Sequence, residues 1–452
     1  MKFFVLLLTY VCLTLCCLGQ AVPPSLDPRH YDIISSISAE RIEQDIRTLV
    51  SFGTRHTLSD TVSDTRGIGA ARQWLKAEFD RISADCNECL EVMYMRDVVK
   101  GDPESRIKND VEIVNVLAIQ RGTVYPNRYI IMSGDIDSRV SDVMNATADS
   151  PGANDNASGL AGTLEAARVL SKYTFPTSII YTGLSGEEQG LFGGRIMAQK
   201  AKAAGWNIVG VLNNDMIGNI EGIDGVIDNT TFRVFSEPTP VTETEQARQG
   251  RRFFGGEVDG VSRQLARYVD IMTEKYFFDL DAIMIYRLDR FGRGGHHRPF
   301  NDEGFAGVRI METHENYNRQ HQNLRTENGI AYGDTLGGVN FDYAAKLTGV
   351  NAITLAGIAW APPQPENVKI GGAVQPSTTL TWDASDDPNL SGYKIYWRAT
   401  TAPQWEYERF VGKATEYTLE NIVIDNYLFG VAAVGKDGNE SVVSFPTDVI
   451  RR

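Results

Sequence analysis

Short runs rich in β-branched and aromatic residues alternate with segments of helical apolar spacing through most of the chain. The β-rich runs cover residues 90–98, 111–119, 129–133, 178–184, 208–212, 282–288 and 307–311. Helical spacing lies between several of them and after the last, at residues 157–172, 195–204, 258–276 and 341–359. Strands that alternate with helices predict an α/β domain with a mainly parallel central sheet, covered by helices on both faces.

Two more helical segments, residues 27–51 and 65–82, precede the first strand and predict an N-terminal helical layer. The α/β pattern ends at Pro362, Pro363 and Pro365. From about residue 366, short alternating strands predict an all-β sandwich. We therefore expect an α/β domain at residues 22–361 and a β-sandwich at residues 362–452.

The N-terminus has the layout of a secretory signal peptide. Lys2 is followed by an apolar run over residues 3–18 and by small or polar residues at 19–21. This predicts that residues 1–21 are removed and that the protein is secreted, periplasmic or extracellular. A lipoprotein anchor at Cys17 is the alternative, which the bulky residues before it disfavour. No later stretch is long and apolar enough to predict a transmembrane segment.

Net charge narrows the possible binding partners, and the cysteines bear on the redox compartment. The formal net charge of -14 argues against a nucleic-acid or anionic-membrane partner, because such surfaces need clustered Lys and Arg. Outside the predicted signal, the cysteines are Cys86 and Cys89. A CxxC pair can be a redox site or half of a zinc site, but a structural disulfide is typical of an oxidising compartment.

Acidic segments come directly after three predicted strands, where open α/β sheets bind ligands. They are GDIDS at residues 134–138, SGEEQG at 185–190 and NNDM at 213–216. A fourth segment, GANDNASG at 152–159, opens a predicted helix, and His321 lies beyond the last strand of the α/β region. Each acid taken alone is also consistent with a helix cap or a solvated loop charge.

Carboxylates gathered at one end of a sheet repel one another and lose hydration, so bound cations are the simplest way to stabilise them. Oxygen ligands with one imidazole suit Zn, Mn or Co, and two ions that share a bridging carboxylate can activate one water. Of the neighbouring Glu187 and Glu188, one can ligate while the other takes the proton of that water.

The series GDIDS, GANDNASG, GEEQGLFG, NNDMIG and ENYNRQH resembles the co-catalytic zinc aminopeptidase family, which also contains glutamate carboxypeptidases and glutaminyl cyclases. The resemblance spans residues 34–359. It implies that Asp155 bridges two metal ions, that Glu188 and His321 complete one site, and that Asp215 serves the other.

The resemblance also implies that Glu187 is the general base and that Asp137 supports the residue two positions before it. At that position the family has His, whereas this chain has Asp135. The second site would then consist of three carboxylates, Asp135, Asp155 and Asp215. This leaves three possibilities open: an altered metal preference such as Mn or Co, an empty second position beside a working zinc, or loss of catalysis.

Other segments carry weaker signals. The segment containing His296 and His297 resembles the family's Ser-Asp-His before Pro-Phe, so His297 could contact substrate, although a structural role is equally consistent. Trp382, Tyr393 and Trp397, with the run at 427–434, resemble a fibronectin type III domain. Such a domain implies docking to a surface or polymer rather than chemistry.

Together these features predict a secreted exopeptidase holding one or two zinc ions. The resemblance implies an aminopeptidase that removes N-terminal residues from peptides with a free N-terminus through a metal-activated water. Two alternatives remain open: a glutaminyl cyclase-like transferase with a single zinc, and a catalytically impaired binding protein.

Overall fold

The structure is a computed structural model and describes residues 21–451. The predicted signal peptide lies outside the described residues except for Ala21. Within the described range, no helix combines the length and the apolar character needed to cross a lipid bilayer.

A twisted sheet of eight strands forms the centre of the α/β region, in the order β1-β2-β4-β3-β5-β8-β6-β7. The strands are β1 Leu90–Val99, β2 Val111–Gln120, β3 Tyr125–Asp135, β4 Thr177–Leu184, β5 Asn207–Asn214, β6 Thr231–Ser236, β7 Asp281–Ile285 and β8 Gly307–Glu312. Strands β4, β3, β5 and β8 run parallel to one another, as do β6 and β7. Strand β2 runs antiparallel to its two neighbours, β1 and β4, and β6 runs antiparallel to β8. The mainly parallel α/β class predicted from the sequence is confirmed.

Helices cover both faces of this sheet. They are α1 Arg29–Ser36, α2 Ala39–Ser51, α3 Gly67–Asp85, α4 Ala157–Leu170, α5 Glu187–Gly190, α6 Phe192–Ala203, α7 Glu245–Phe254, α8 Val261–Tyr276, α9 His297–Asp302 and α10 Phe341–Trp360. Helices α2, α3, α4, α8 and α10 pack on one face, around a core that includes Leu160, Leu164 and Ile353. Helices α6 and α9 pack on the other face, where Met197 and Phe300 are buried.

The predicted helix over residues 27–51 is two helices, α1 and α2. The chain is extended at Ile37 and Ser38, and the Ser38 hydroxyl accepts a hydrogen bond from the Arg41 backbone N–H, 3.2 Å away. A serine that caps the second helix stabilises the break, because it satisfies a backbone N–H that the helix leaves free.

Two small sheets follow α10. Their strands are β11 Lys369–Gly371, β12 Thr378–Thr381, β13 Leu390–Ala399, β14 Tyr407–Phe410, β15 Glu416–Leu419, β16 Tyr427–Gly435 and β17 Asp448–Val449. The sheet orders are β15-β12-β11-β17 and β14-β13-β16, and a hairpin of β9 Arg325–Glu327 with β10 Ile330–Tyr332 precedes α10. Trp382, Tyr393 and Trp397 lie in the apolar core of the C-terminal strands. These strands therefore have their own hydrophobic core.

Buried ion pairs join the C-terminal strands to α8 and the loop before it. Asp259 lies 2.7 Å from Arg267 and 2.8 Å from Arg398 of β13, and all three side chains are buried. Glu440 pairs with Lys275 of α8 at 2.7 Å and with Lys394 of β13 at 2.8 Å. Because each buried charge has an opposite charge beside it, this contact can form without leaving an isolated ion.

Cys86 and Cys89 lie at the turn between α3 and β1. Their sulfur atoms are bonded, with an S–S distance of 2.02 Å. The disulfide therefore links the end of α3 to the start of the edge strand β1, away from the acidic segments at the carboxyl ends of β3, β4 and β5.

Candidate metal centre

The carboxyl ends of β3, β4 and β5 lie side by side in the sheet. Asp135 is the last residue of β3, and Asp215 directly follows β5. Glu187 and Glu188 form the first turn of α5, which begins three residues after the last residue of β4. The parallel strands thus bring acidic segments that lie far apart in the sequence to the same end of the sheet, which is where open α/β sheets bind ligands.

Three of the predicted residues converge. Nε2 of His321 lies 2.9 Å from Oδ2 of Asp155 and 3.0 Å from Oε1 of Glu188. Across residues 21–451, this is the one group of three or more His, Cys, Asp or Glu residues whose possible ligand atoms lie within 4.8 Å of one another. Two carboxylate oxygens and one imidazole nitrogen form a donor set that suits zinc and leaves a position free for water or substrate.

Backbone hydrogen bonds fix the loop that presents Asp155. The backbone N–H groups of Asn154 and Asp155 donate to the carboxylate of Asp334, at 2.9 Å and 2.6 Å. The Asn154 amide donates to Glu312 at the end of β8, and the Gln320 amide donates to Oδ2 of Asp155 at 3.2 Å. Sequence analysis assigned no role to Asp334 or Gln320, because their contacts with the Asp155 loop arise only when the chain folds.

Asp137 holds the turn that carries both glutamates. Its Oδ1 accepts a hydrogen bond from the backbone N–H of Glu187 at 3.2 Å, and its Oδ2 accepts from that of Glu188 at 3.0 Å. The hydroxyl of Thr57 donates to Oδ2 at 2.8 Å. We predicted that Asp137 supports the residue at 135, but its oxygens face the start of α5 instead. It orients Glu187 and Glu188 because an acid at a helix N-terminus accepts the free N–H groups there.

Arg139 is a further member of the cluster that the sequence did not indicate. Its Nε donates to Oε2 of Glu188 at 2.7 Å, and its Nη2 lies 2.7 Å from Nδ1 of His321. A guanidinium only donates hydrogen bonds, so in this arrangement Nδ1 is the acceptor and Nε2 carries the hydrogen shared with the carboxylates. An ion bound through Nε2 requires that hydrogen on Nδ1, so Arg139 has to release His321 when metal binds.

The structure places Asp135 and Asp215 apart from the three converging residues. Oδ1 of Asp135 lies 2.5 Å from Nδ1 of His296, and its Oδ2 accepts from the Asn156 amide at 2.7 Å. Oδ2 of Asp215 lies 2.8 Å from Nη2 of Arg309, a fully buried side chain of β8. Each of these two aspartates therefore has a partner within the protein, the His296 imidazole for Asp135 and the Arg309 guanidinium for Oδ2 of Asp215.

Burial dominates the electrostatics of the site. It raises the pKa of Glu187 well above its usual value, and the charge of Glu188 raises it further. Burial likewise raises the pKa of Asp215 to about 7, although Arg309 opposes this. For Asp155 burial acts in the same direction, but His321, Arg290 and Arg293 together outweigh it and hold the pKa below its usual range. Carboxylates that are costly to ionise without a further cation are typical of a metal centre.

His297 lies away from this cluster. Its Nε2 is 2.8 Å from the backbone carbonyl oxygen of Leu288 and 3.6 Å from Asp289, and the ring is fully buried. These contacts fit the structural role that was one of the two roles predicted for His297.

A small cleft lies beside Asp155. Its lining is mostly polar and consists of Asn154, Asp155, Met216, Asn219, Glu312, Asn316, Arg319, Gln320, Asp334 and Gly338. The space inside it is about 10 Å³, which is room for about one water molecule beside Asp155.

A mainly parallel sheet covered by helices, with a carboxylate–imidazole cluster at its edge, is the arrangement of a zinc metallopeptidase. Residues 115–334 match the sequence model of peptidase family M28. A probable zinc metalloprotease of Leptosphaeria maculans is 41% identical over 429 residues, which are 94% of this chain and 98% of the relative. A probable zinc metalloprotease of Pyrenophora teres f. teres is 40% identical over 433 residues, 94% of this chain and 88% of the relative. The chain therefore belongs to peptidase family M28, and the family resemblance found in the sequence is confirmed.

Solved structures show the same fold. The crystal structure of the LapA aminopeptidase of Legionella pneumophila aligns with a TM-score of 0.51 at 17% identity, covering 78% of this chain and 77% of that chain. At this identity the likeness concerns the fold alone.

Proposed function

We propose that this chain is an exported zinc aminopeptidase that acts on peptides with a free N-terminus. The observation that carries the proposal is the convergence of Asp155, Glu188 and His321 at the sheet edge, with Glu187 in the same turn as Glu188. Membership of a family of zinc metalloproteases supports peptide-bond hydrolysis as the reaction. The excess of carboxylates around the site favours a substrate with a free ammonium group.

A zinc ion at these three residues would supply the Lewis acidity that polarises the scissile carbonyl and acidifies a water. Glu187 then accepts the proton of the attacking water and delivers it to the leaving amine nitrogen. Asp137 keeps Glu187 in position through the backbone of α5. Asp334 does the same for Asp155 through the loop N–H groups. The protein itself therefore supplies the general base and holds in place the two segments that carry the metal ligands Glu188 and Asp155.

The test uses the purified full chain with zinc and a pair of fluorogenic leucyl amides, one with a free amino group and one acetylated. We expect release of the fluorophore from the free amide alone. Glu187→Gln should lower kcat by about a thousandfold with zinc content unchanged, because it removes the proton acceptor. The exposed Glu104→Gln is the matched control and should leave kcat as it is.

Two results would contradict this proposal. Absence of hydrolysis with Zn, Mn and Co each supplied, and no effect of Glu187→Gln, would indicate a binding protein. Formation of pyroglutamate from a peptide with N-terminal Gln, without release of that residue, would indicate a cyclase-like transferase.

We also propose that the chain is exported and that residues 22–361 form the peptidase domain. Residues 362–452 would be a fibronectin type III-like domain that docks the enzyme to a surface or polymer. The apolar run near the N-terminus and the Cys86–Cys89 bond are consistent with an oxidising compartment. Sequencing the N-terminus of protein recovered from the culture medium tests export: a start near residue 22 supports it, and an intact Met1 contradicts it.

A further inference from the structure

A second metal position would require three carboxylates, those of Asp135, Asp155 and Asp215. Only Asp155 belongs to the compact group that the described residues form with Glu188 and His321. Ligands of one ion lie about 2 Å from it, so their atoms must lie close to one another. The three aspartates do not meet this condition, and the contacts of Asp215 and Asp135 show why.

Asp215 already has a cation beside it. Its Oδ2 lies 2.8 Å from Nη2 of Arg309, and Nη1 of Arg309 lies 3.2 Å from Asp289 and 3.0 Å from the carbonyl oxygen of Gly294. Arg309 lies within β8, opposite Asn213 of β5, and its side chain is fully buried. A guanidinium enclosed by the sheet and held on both sides cannot swing into solvent to make room for a metal ion.

Both oxygens of Asp135 already have hydrogen-bonding partners within the protein. Its two oxygens contact Nδ1 of His296 at 2.5 Å and the amide of Asn156 at 2.7 Å. Both Asp135 and His296 are buried, so the pair shares one hydrogen out of contact with water. This pair holds the end of β3 to the start of α9, which is a structural use of both side chains.

We propose that the centre of this chain holds a single divalent ion, at Asp155, Glu188 and His321, and that the guanidinium of Arg309 is the permanent positive charge beside Asp215. The inference rests on the proposed function, since it concerns the same site. Arg309 then compensates the Asp215 carboxylate at all times, whereas a metal ion could be lost. Asp135 binds no ion and holds His296.

The test is the zinc content of the purified full chain after saturation with zinc and removal of loosely bound metal, measured by elemental mass spectrometry. One zinc per chain is expected. Two per chain would overturn the single-ion inference and leave the peptidase proposal intact. Zero would overturn the proposed function itself.

Oδ1 of Asp215 is buried and accepts no hydrogen bond from the described residues, so it is the atom where a second ion would bind if the inference is wrong. Crystals of the zinc-saturated protein, measured at the zinc absorption edge, should show one anomalous peak, between Asp155, Glu188 and His321. A second peak beside Asp215 would contradict the inference.

Matched amide variants assign the ligands. Asp155→Asn should lower zinc content to near zero, whereas Asp135→Asn and Asp215→Asn should each retain one zinc per chain. Thermal unfolding of each variant checks that it is folded. Loss of zinc from a folded Asp215→Asn or Asp135→Asn variant would overturn the assignment.

An exchange variant tests the part played by Arg309. Asp135→His with His296→Asp keeps a buried acid–imidazole pair but lets the imidazole extend from the end of β3. This variant should still bind one zinc, and adding Arg309→Gln should allow a second. If the triple variant is folded and binds one zinc, Arg309 is not what excludes the second ion. The zinc content of the unaltered chain decides the single-ion inference whether or not this variant folds.

Discussion

At the scale of single residues, Asp137 shows how a side chain outside the ligand set can govern the reaction. Its carboxylate accepts the backbone N–H groups of both Glu187 and Glu188. Asp137→Asn should therefore lower kcat by about ten- to a hundredfold, because an amide can turn a donor toward those N–H groups and release the turn. The measurement is kcat at saturating substrate together with zinc content, which should stay unchanged. The exposed Asp64→Asn serves as control, and equal kcat values for both variants would contradict this role.

Replacing Arg139 should strengthen zinc binding. Its guanidinium lies 2.7 Å from Glu188 and contacts Nδ1 of His321, so it competes with an ion for both ligands. Arg139→Gln should lower the zinc dissociation constant by about tenfold or more, because one positive charge beside the ion is removed. Competition with a chelator of known affinity measures this. Arg66→Gln, at an exposed ion pair, should change nothing. Weaker zinc binding by Arg139→Gln would mean that Arg139 chiefly holds Glu188 in place.

The residues of the site differ in how far the sequence could predict them. Asp155, Glu188 and His321 were predictable from the sequence. Glu188 follows a predicted strand, Asp155 precedes a predicted helix, and all three lie in segments that resemble the family's motifs. Arg309 was not, since a basic residue in a buried strand gives no pattern, and its contact with Asp215 depends on the register of β5 with β8. The contact of His296 with Asp135 likewise joins positions 161 residues apart in the sequence.

At the scale of the elements, the start of α4 is packed against the end of β5. A Cβ atom added to Gly159 would lie 2.3 Å from the backbone oxygen of Asn214. Gly159→Ala should lower the free energy of unfolding by about 2–3 kcal/mol, because a backbone atom cannot turn aside as a side chain can. Urea unfolding measures the change. Gly250→Ala in α7, where nothing lies within 4 Å, should instead stabilise by less than about 1 kcal/mol. Similar stabilities for the two variants would contradict the packing argument.

Most of the central elements follow from sequence periodicity, and the exceptions have physical causes. Residues 111–119 and 178–184 form strands within one residue of the predicted limits, because buried strands are continuous apolar runs. Residues 90–98 also form a strand within one residue of the predicted limits, although this edge strand is mostly exposed or half-buried. Strand β6 was missed, because it is only six residues long and follows a polar loop. The antiparallel edge formed by β1 and β2 was also beyond prediction, since pairing direction depends on how strands associate and not on their own composition.

At the scale of the whole molecule, Glu440 links the C-terminal strands to α8. Burial alone would raise the pKa of Glu440, but Lys275 and Lys394 lower it to about 2. A carboxylate with a lowered pKa contributes stability above its unfolded pKa of about 4.5 and loses that contribution as the pH falls toward 2. Glu440→Gln should therefore lower the free energy of unfolding by about 3 kcal/mol at pH 7, and by about half of that or less at pH 3.

Urea unfolding of both proteins at pH 7, 5 and 3 tests this pH dependence. The matched control is Glu408→Gln, which alters an exposed partner of the same lysine, 3.0 Å from Lys394. It should cost less than about 1 kcal/mol at every pH, because water screens exposed pairs. An equal penalty for Glu440→Gln at pH 7 and pH 3 would show that the lost contact is not ionic.

The buried charges between α8 and β13 also bear on how the chain moves in solution. Two domains joined by a pliant linker reorient semi-independently, whereas domains that share enclosed ion pairs such as Asp259 with Arg398 reorient together. Nuclear spin relaxation of amides in β13 and in β3 should then report one common rotational correlation time. A surface bound by the C-terminal strands, as proposed above, would in that case also set the direction in which the cleft beside Asp155 faces.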